Sequence, residues 1–157
     1  MQRTILKAQL EQELEARSVA GGSVTRIVLS DRSAIDPVAY AVLTAANEDE
    51  ARERMRALVD TPEFKAALRG YREGTFILVK PVPEWLVDDG VRSMDEKGHS
   101  IDVYRSILRE LKIPFVELGE EIKEIQARVA FAKGLINANG ANARSLETES
   151  KCSYRRP

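Results

Sequence analysis

One cysteine, one histidine and one tryptophan in 157 residues remove several familiar chemistries from this chain at once. Cys152, alone, closes no intramolecular disulfide and builds no thiolate-rich metal site. His99, beside Ser100, has no partner at metal-ligand spacing and reads as a surface residue. With a tail cysteine and one histidine, neither a Ser-His-Asp nor a Cys-His arrangement can be assembled. The formal net charge of −1 leaves no global field to attract nucleic acid or an anionic membrane. No apolar run approaches the roughly 20 residues that span a bilayer. Glu11, Glu13 and Glu15 follow the N-terminus too soon for a secretory or mitochondrial leader. The expectation is a soluble protein of the reducing cytoplasm.

What is present patterns as a single α/β domain, with room for a core but small for a complete α/β enzyme. Leu6, Leu10 and Leu14, with Ile5 alongside, predict a helix that Gly21-Gly22 ends. The β-branched run from Val24 to Val28 predicts a strand over 24–30. Asp36 and Pro37 read as N-cap and first helical position of a helix through Val38, Ala39, Val42 and Leu43. A charged helix over 48–58 follows, and Thr61-Pro62-Glu63 opens a short one carrying Phe64 and Leu68. Thr75 to Val79 is nearly unbroken apolar sequence and predicts a strand buried on both faces. The charged stretch 84–98 has no periodicity, and loops of that length are usually functional.

Ile101, Tyr104, Ile107, Leu108 and Leu111 mark another helix. Pro114 then opens a third strand, Phe115 to Leu118. The last helix carries Ile122, Ile125, Val129, Ala132, Leu135 and Ile136. From residue 137 to 157 the chain has little to bury and is predicted to be a disordered polar tail. Strands alternating with helices imply a mostly parallel sheet of about three strands.

Asp31 and Arg32 are the first chemical candidates, at the carboxyl end of the predicted strand 24–30, where α/β folds place ligands. An acid there can hold a hydrated Mg²⁺ or accept a proton from an attacking hydroxyl. An adjacent arginine can bind phosphate through its planar fork. Alternatively, Asp31 and Asp36 cap the next helix and Arg32 solvates its rim. Asp88-Asp89-Gly90-Val91-Arg92 is the second candidate, a lid over phosphates or an ordinary solvated loop. Trp85 stacks on a base or anchors packing. Tyr40 and Tyr104 lie among apolar neighbours and read as core.

Such a site also needs a phosphate cradle, and no G-x-x-x-x-G-K-[ST] occurs in these 157 residues. Gly21-Gly22-Ser23 lacks both the spacing and the lysine. The order of the remaining features nevertheless resembles a known family. A strand ends in Asp31-Arg32-Ser33, with Asp36 and a tyrosine-bearing helix after it. A second strand runs into Trp85-x-x-Asp88-Asp89-Gly90-x-Arg92, followed by a helix, Ile113-Pro-Phe-Val116 and a last helix with Ala127-Arg-Val129. From about Gln2 to Ile136 this is similar to the AAA-type P-loop domain of NadR-like nicotinamide ribonucleotide kinases. It also resembles the TRP-channel translocation-defect type of protein, which binds GTP and phosphoinositides.

The resemblance implies a three-layer αβα P-loop fold, kinase-like and N-terminally incomplete, over residues 1–136. It implies ATP or GTP with Mg²⁺ as cofactor and a small-molecule acceptor for the phosphoryl group. Asp31 would sit at a Walker-B-like position, as metal ligand or base, and Arg32 would contact phosphate or acceptor. Asp36 would support the acceptor side, and Arg92 would reach the nucleotide phosphates from a loop shaped by Asp89. Family members open with a strand and P-loop that these residues do not include, so the expectation is an inert domain. That first strand lies between the strands matching 24–30 and 75–79, and each backbone group left dry and unpaired costs about 1–3 kcal/mol. The flanking strands would then pair directly, or another chain would fill the gap. The competing readings are a non-catalytic module for a phosphoinositide or protein partner, and a domain whose acids and arginines only cap and solvate.

Overall fold

The computed structural model describes residues 1–20, 27–85 and 99–152, with side chains in the first and last helices described to residues 18 and 138. Two compact units divide the chain: Met1–Tyr71 with Met94–Ile113, and Arg72–Ser93 with Pro114–Pro157. Among the described residues no helix is long and apolar enough to cross a membrane.

The first unit is helical: α1 (Gln2–Ala20), α2 (Ile35–Leu43), α3 (Glu48–Val59), α4 (Pro62–Glu73, belonging to this unit as far as Tyr71) and α5 (His99–Glu110). The apolar helix α2 is central and packs against α1, α3 and α5. It buries Ile35, Val38 and Ala39 completely, with Phe64 of α4 and Leu108 of α5 equally enclosed. Local chemistry sets the helix ends. The Asn47 side chain accepts from Glu50 N–H at 2.9 Å while the Glu50 carboxylate reaches back to Ala46 N–H at 2.7 Å, a reciprocal cap on α3. Thr61 Oγ1 accepts from Phe64 N–H at the start of α4. At the end of α5, Ile113 N–H bonds Leu108 O and Lys112 N–H bonds Arg109 O, with Lys112 at φ 55°. This is a Schellman cap built on a non-glycine residue, sealed by buried Leu108 and Ile113.

The second unit holds β1 (Phe76–Val79) and β2 (Phe115–Leu118), paired in parallel with Phe76 opposite Phe115 and Val79 opposite Leu118. Lys80 N–H extends the ladder to Leu118 O at 2.9 Å. A 3-10 turn at Pro83–Trp85 follows β1, and α6 (Ile125–Cys152) follows β2.

Several expectations need correction. Residues 27–30 form no strand, and Ile27, Val28 and Leu29 are exposed; the rest of that predicted strand, 24–26, lies outside the described residues. The only ladder among the described residues joins β1 to β2, so the three-strand sheet and its direct pairing across the gap are not found. β-Branched composition favours a pleated surface but needs a neighbour to pair with. β1 is also not buried on both faces: Leu78 is buried, Val79 exposed, because a two-stranded sheet has only edges.

In α1 the buried stripe is Leu6, Leu10 and Glu13, and Leu14 falls outside it, 70% exposed. In α6, Ile125 and Val129 face solvent, whereas Phe131, Ala132, Leu135 and Ile136 are half-covered. The α6 backbone remains helical through Cys152, across residues for which disorder was expected. Ala138, Ala141, Ala143, Leu146 and Glu147 are good helix formers, so local propensity favours a helix even where little apolar surface is available to bury.

Candidate functional site

The corner where the chain enters α2 gathers the most polar chemistry in the first unit. Asp36 lies in the first turn, and its Oδ2 accepts from Ser33 N–H at 2.8 Å. Ser33 Oγ in turn accepts from Ile35 N–H at 3.2 Å. Ala34 is the N-cap and brings no side-chain cap of its own, while Ser33 and Asp36 bond to each other across the first turn, which corrects the expectation of Asp36 as N-cap. The other carboxylate oxygen, Oδ1, accepts from Arg32 Nη1 at 3.2 Å and from the Tyr104 hydroxyl at 3.0 Å. With the Ser33 hydroxyl at 3.4 Å from Oδ2, one carboxylate thus collects a guanidinium, a backbone amide, a phenol and an alcohol.

The electrostatics follow. The Asp36 charge raises the Arg32 pKa further above its ordinary range. Burial, then the neighbouring Asp36 carboxylate, raises that of Tyr104. Tyr104 therefore stays a neutral donor, and Arg32 a cation with exposed donors left over. The Arg32 backbone O accepts from Gln9 Nε2 of α1 at 3.2 Å and, locally, from Ser30 Oγ. A depression of about 360 Å³ opens beside this corner, lined by Gln2, Ile5, Gln9, Arg32, Asp36 and Tyr40 among others.

A second, buried network holds the corner in place. The Tyr71 hydroxyl donates to the Glu13 carboxylate, whose oxygens lie 2.7 and 2.8 Å away, and accepts from Ala34 N–H at 3.1 Å. Glu13 also accepts from Gln9 Nε2 at 3.2 Å and lies 3.7 Å from Arg17. Through Tyr71, α1 and α4 both grip the backbone one residue before α2. Burial, then the hydrogen bond to Glu13, raises the Tyr71 pKa, so it remains protonated.

Arg32 and Asp36 are thus brought together. Asp31 is exposed and has no side-chain partner among the described residues. Asp88, Asp89, Gly90 and Arg92 lie outside the described residues. Tyr40, expected in the core, is 46% exposed at the rim of the depression, and Tyr104 is a part-buried hydrogen-bond donor rather than plain packing. Trp85 in the second unit is half-exposed under the Arg128 guanidinium, 5.3 Å from the ring centroid. Arg128 also donates to Gly119 O at 3.1 Å and Ile122 O at 2.8 Å, so it ties Trp85 to the turn after β2.

A family model described as an AAA domain matches residues 1–128. The chain belongs to the AAA domain family. That places it with nucleotide-binding domains of the P-loop type, and its helices with a small parallel sheet are compatible with such a fold. No curated protein and no solved structure matches the chain.

Gln9, Glu13 and Tyr71 are residues the sequence reading missed. One signal was available: Glu13 sits three positions after Leu10 and seven after Leu6, where the stripe calls for an apolar side chain. A charge on a buried helix face needs a partner, which here is 58 residues away. Tyr104 offered no comparable signal.

Proposed function

We propose that this chain is the acceptor-facing part of a kinase-like nucleotide-binding domain, inert in phosphoryl transfer as these 157 residues stand. The observation that carries the reading is the Asp36 carboxylate, oriented by Ser33 N–H and Tyr104 and paired with Arg32 beside an open depression. An acid and an arginine so fixed can orient a hydroxyl and neutralise a phosphate on a small acceptor. Asp31 stands in the solvent nearby, where a Mg²⁺ ligand that keeps several waters would belong.

The nucleotide itself does not fit the residues present. A triphosphate needs a backbone cradle and a lysine, and the sequence contains no such motif. Calorimetric titration of the 157-residue chain with ATP or GTP plus Mg²⁺ should show no binding at micromolar concentration, and heat at that level would refute the inertness. Inorganic phosphate should shift the Arg32 side-chain and Ser33 amide resonances, and Arg32→Ala should abolish the shift. Undisturbed resonances would refute the acceptor role.

A second reading, a non-catalytic module for a phosphoinositide or protein partner, is favoured by exposed Ile27, Val28 and Leu29 close in sequence to half-exposed Arg32. Co-sedimentation with vesicles that contain phosphoinositide, but not with neutral ones, would support it.

A further inference from the structure

The depression at the α2 corner takes one wall from α1, where Gln2, Ile5 and Gln9 are spaced to share a helix face. Arg32, Asp36 and Tyr40 belong to the same lining. Asp36 is fully engaged there. Its oxygens accept from Arg32 Nη1, the Tyr104 hydroxyl, Ser33 N–H and Ser33 Oγ, which uses the roughly four lone-pair sites of a carboxylate. Asp36 therefore acts on a ligand through the arginine it holds, and a ligand hydroxyl needs a further acceptor.

Gln9 supplies one. Its Nε2 donates to Glu13 Oε1 and to the Arg32 backbone O, each at 3.2 Å. A backbone carbonyl only accepts, so the amide can be turned only one way, with both N–H groups used. Oε1 is left with no hydrogen-bond partner among the described residues, on a half-buried side chain that lines the depression. Gln2 lines the same wall, but no hydrogen bond among the described residues fixes its amide. An acceptor already held in place loses less freedom on binding than one that must be ordered.

On the acceptor reading above, we propose that Gln9 is a specificity-determining residue of this corner, its fixed Oε1 accepting from a hydroxyl of a phosphate monoester whose phosphate lies on Arg32. The ligand class is a small hydroxylated phosphate ester, a polyol or sugar phosphate, in preference to a plain alkyl phosphate. Ile5 and Tyr40, each 46% exposed, give its carbon skeleton an apolar rim. Because Gln9 is bonded to the backbone of Arg32 itself, the acceptor and the cation lie within reach of one compact ligand.

Glycerol 3-phosphate and propyl phosphate share charge and carbon chain and differ in their hydroxyls. Titrated into the 157-residue chain and followed by NMR, the glycerol ester should bind about three- to tenfold more tightly, the worth of one net hydrogen bond. The Gln9 side-chain N–H resonances should move further with it than with the propyl ester. Gln9→Leu should bind the two esters alike, and Gln2→Leu should keep the preference. Loss of the Gln9 donor bonds that merely loosened the corner would weaken both esters together and leave their ratio unchanged. Equal affinity of the two esters for the unaltered chain overturns this inference while leaving the acceptor reading standing. A preference that survives in Gln9→Leu with helical circular dichroism retained, or disappears in Gln2→Leu, does the same. If Gln9→Leu does not fold, the Gln9 resonances decide, and an equal response to both esters overturns the inference. A chain that takes neither ester nor inorganic phosphate overturns the acceptor reading and this inference with it.

Discussion

Replacing Tyr71 with phenylalanine removes one oxygen from the most enclosed polar network in the first unit. That oxygen donates to Glu13, only 8% exposed, and accepts from the N–H of Ala34, which is fully buried. Ala34 N–H would be left without its acceptor, at about 1–3 kcal/mol for a dry orphaned group. Glu13 would lose a charge-assisted bond but keep Gln9 and Arg17, so its loss is smaller than for an isolated buried charge. The combined cost should be about 2–4 kcal/mol, a large share of the roughly 5–15 kcal/mol typical of a domain. Urea unfolding should report it as a lower midpoint at unchanged slope. Adding Glu13→Leu to Tyr71→Phe removes the stranded charge, so the double variant should be less destabilised than the two single costs summed. A Tyr71→Phe loss below about 0.5 kcal/mol, the scatter of ordinary surface substitutions, would refute the view that this hydroxyl anchors the entry to α2.

The same tyrosine makes an alkaline prediction: its folded pKa is raised above the ordinary 10.0, so the unfolded chain gives up the proton first. Its contribution should be complete below about pH 10 and decline above it, approaching about 1.4 kcal/mol per pH unit, with a shallower decline in Tyr71→Phe. Lys112→Gly should raise the melting temperature, because relief of a left-handed backbone at φ 55° is worth about 0.5–1 kcal/mol after the flexibility glycine adds to the unfolded chain. Asp36→Ala removes the acceptor for Ser33 N–H and Tyr104, and should lower stability by about 1–2 kcal/mol in the same urea assay. The atoms nearest the new methyl of Gly70→Ala are those of the Arg17 guanidinium, at 2.7 Å, so the flexible arginine should yield and the gain in helix propensity, up to about 1 kcal/mol, should show as a higher midpoint.

Much of the site was legible as residues and little of it as geometry. Arg32 and Asp36 could be selected because they flank a helix start, and four residues apart they meet without help from the rest of the chain. Tyr104 is 68 residues from Asp36, and Glu13 is 58 from Tyr71, so no local pattern announces either contact. Asp31 was the first candidate for metal or base, with Asp36 in support on the acceptor side. Folding separated them, directing Asp36 onto four donors and leaving Asp31 in solvent.

By itself, the sequence determined the helices and the strands at 76–79 and 115–118, because propensity and period act within a few residues. The order of its motifs also sufficed for the resemblance to a P-loop-type AAA domain, in agreement with the family match over residues 1–128. The tertiary structure decided that residues 27–30 form no strand, since pairing requires a neighbour that local sequence cannot supply. It also decided that a buried glutamate and tyrosine hold the corner at α2. Such contacts depend on where distant segments come to rest, and that is set by burial over the whole chain.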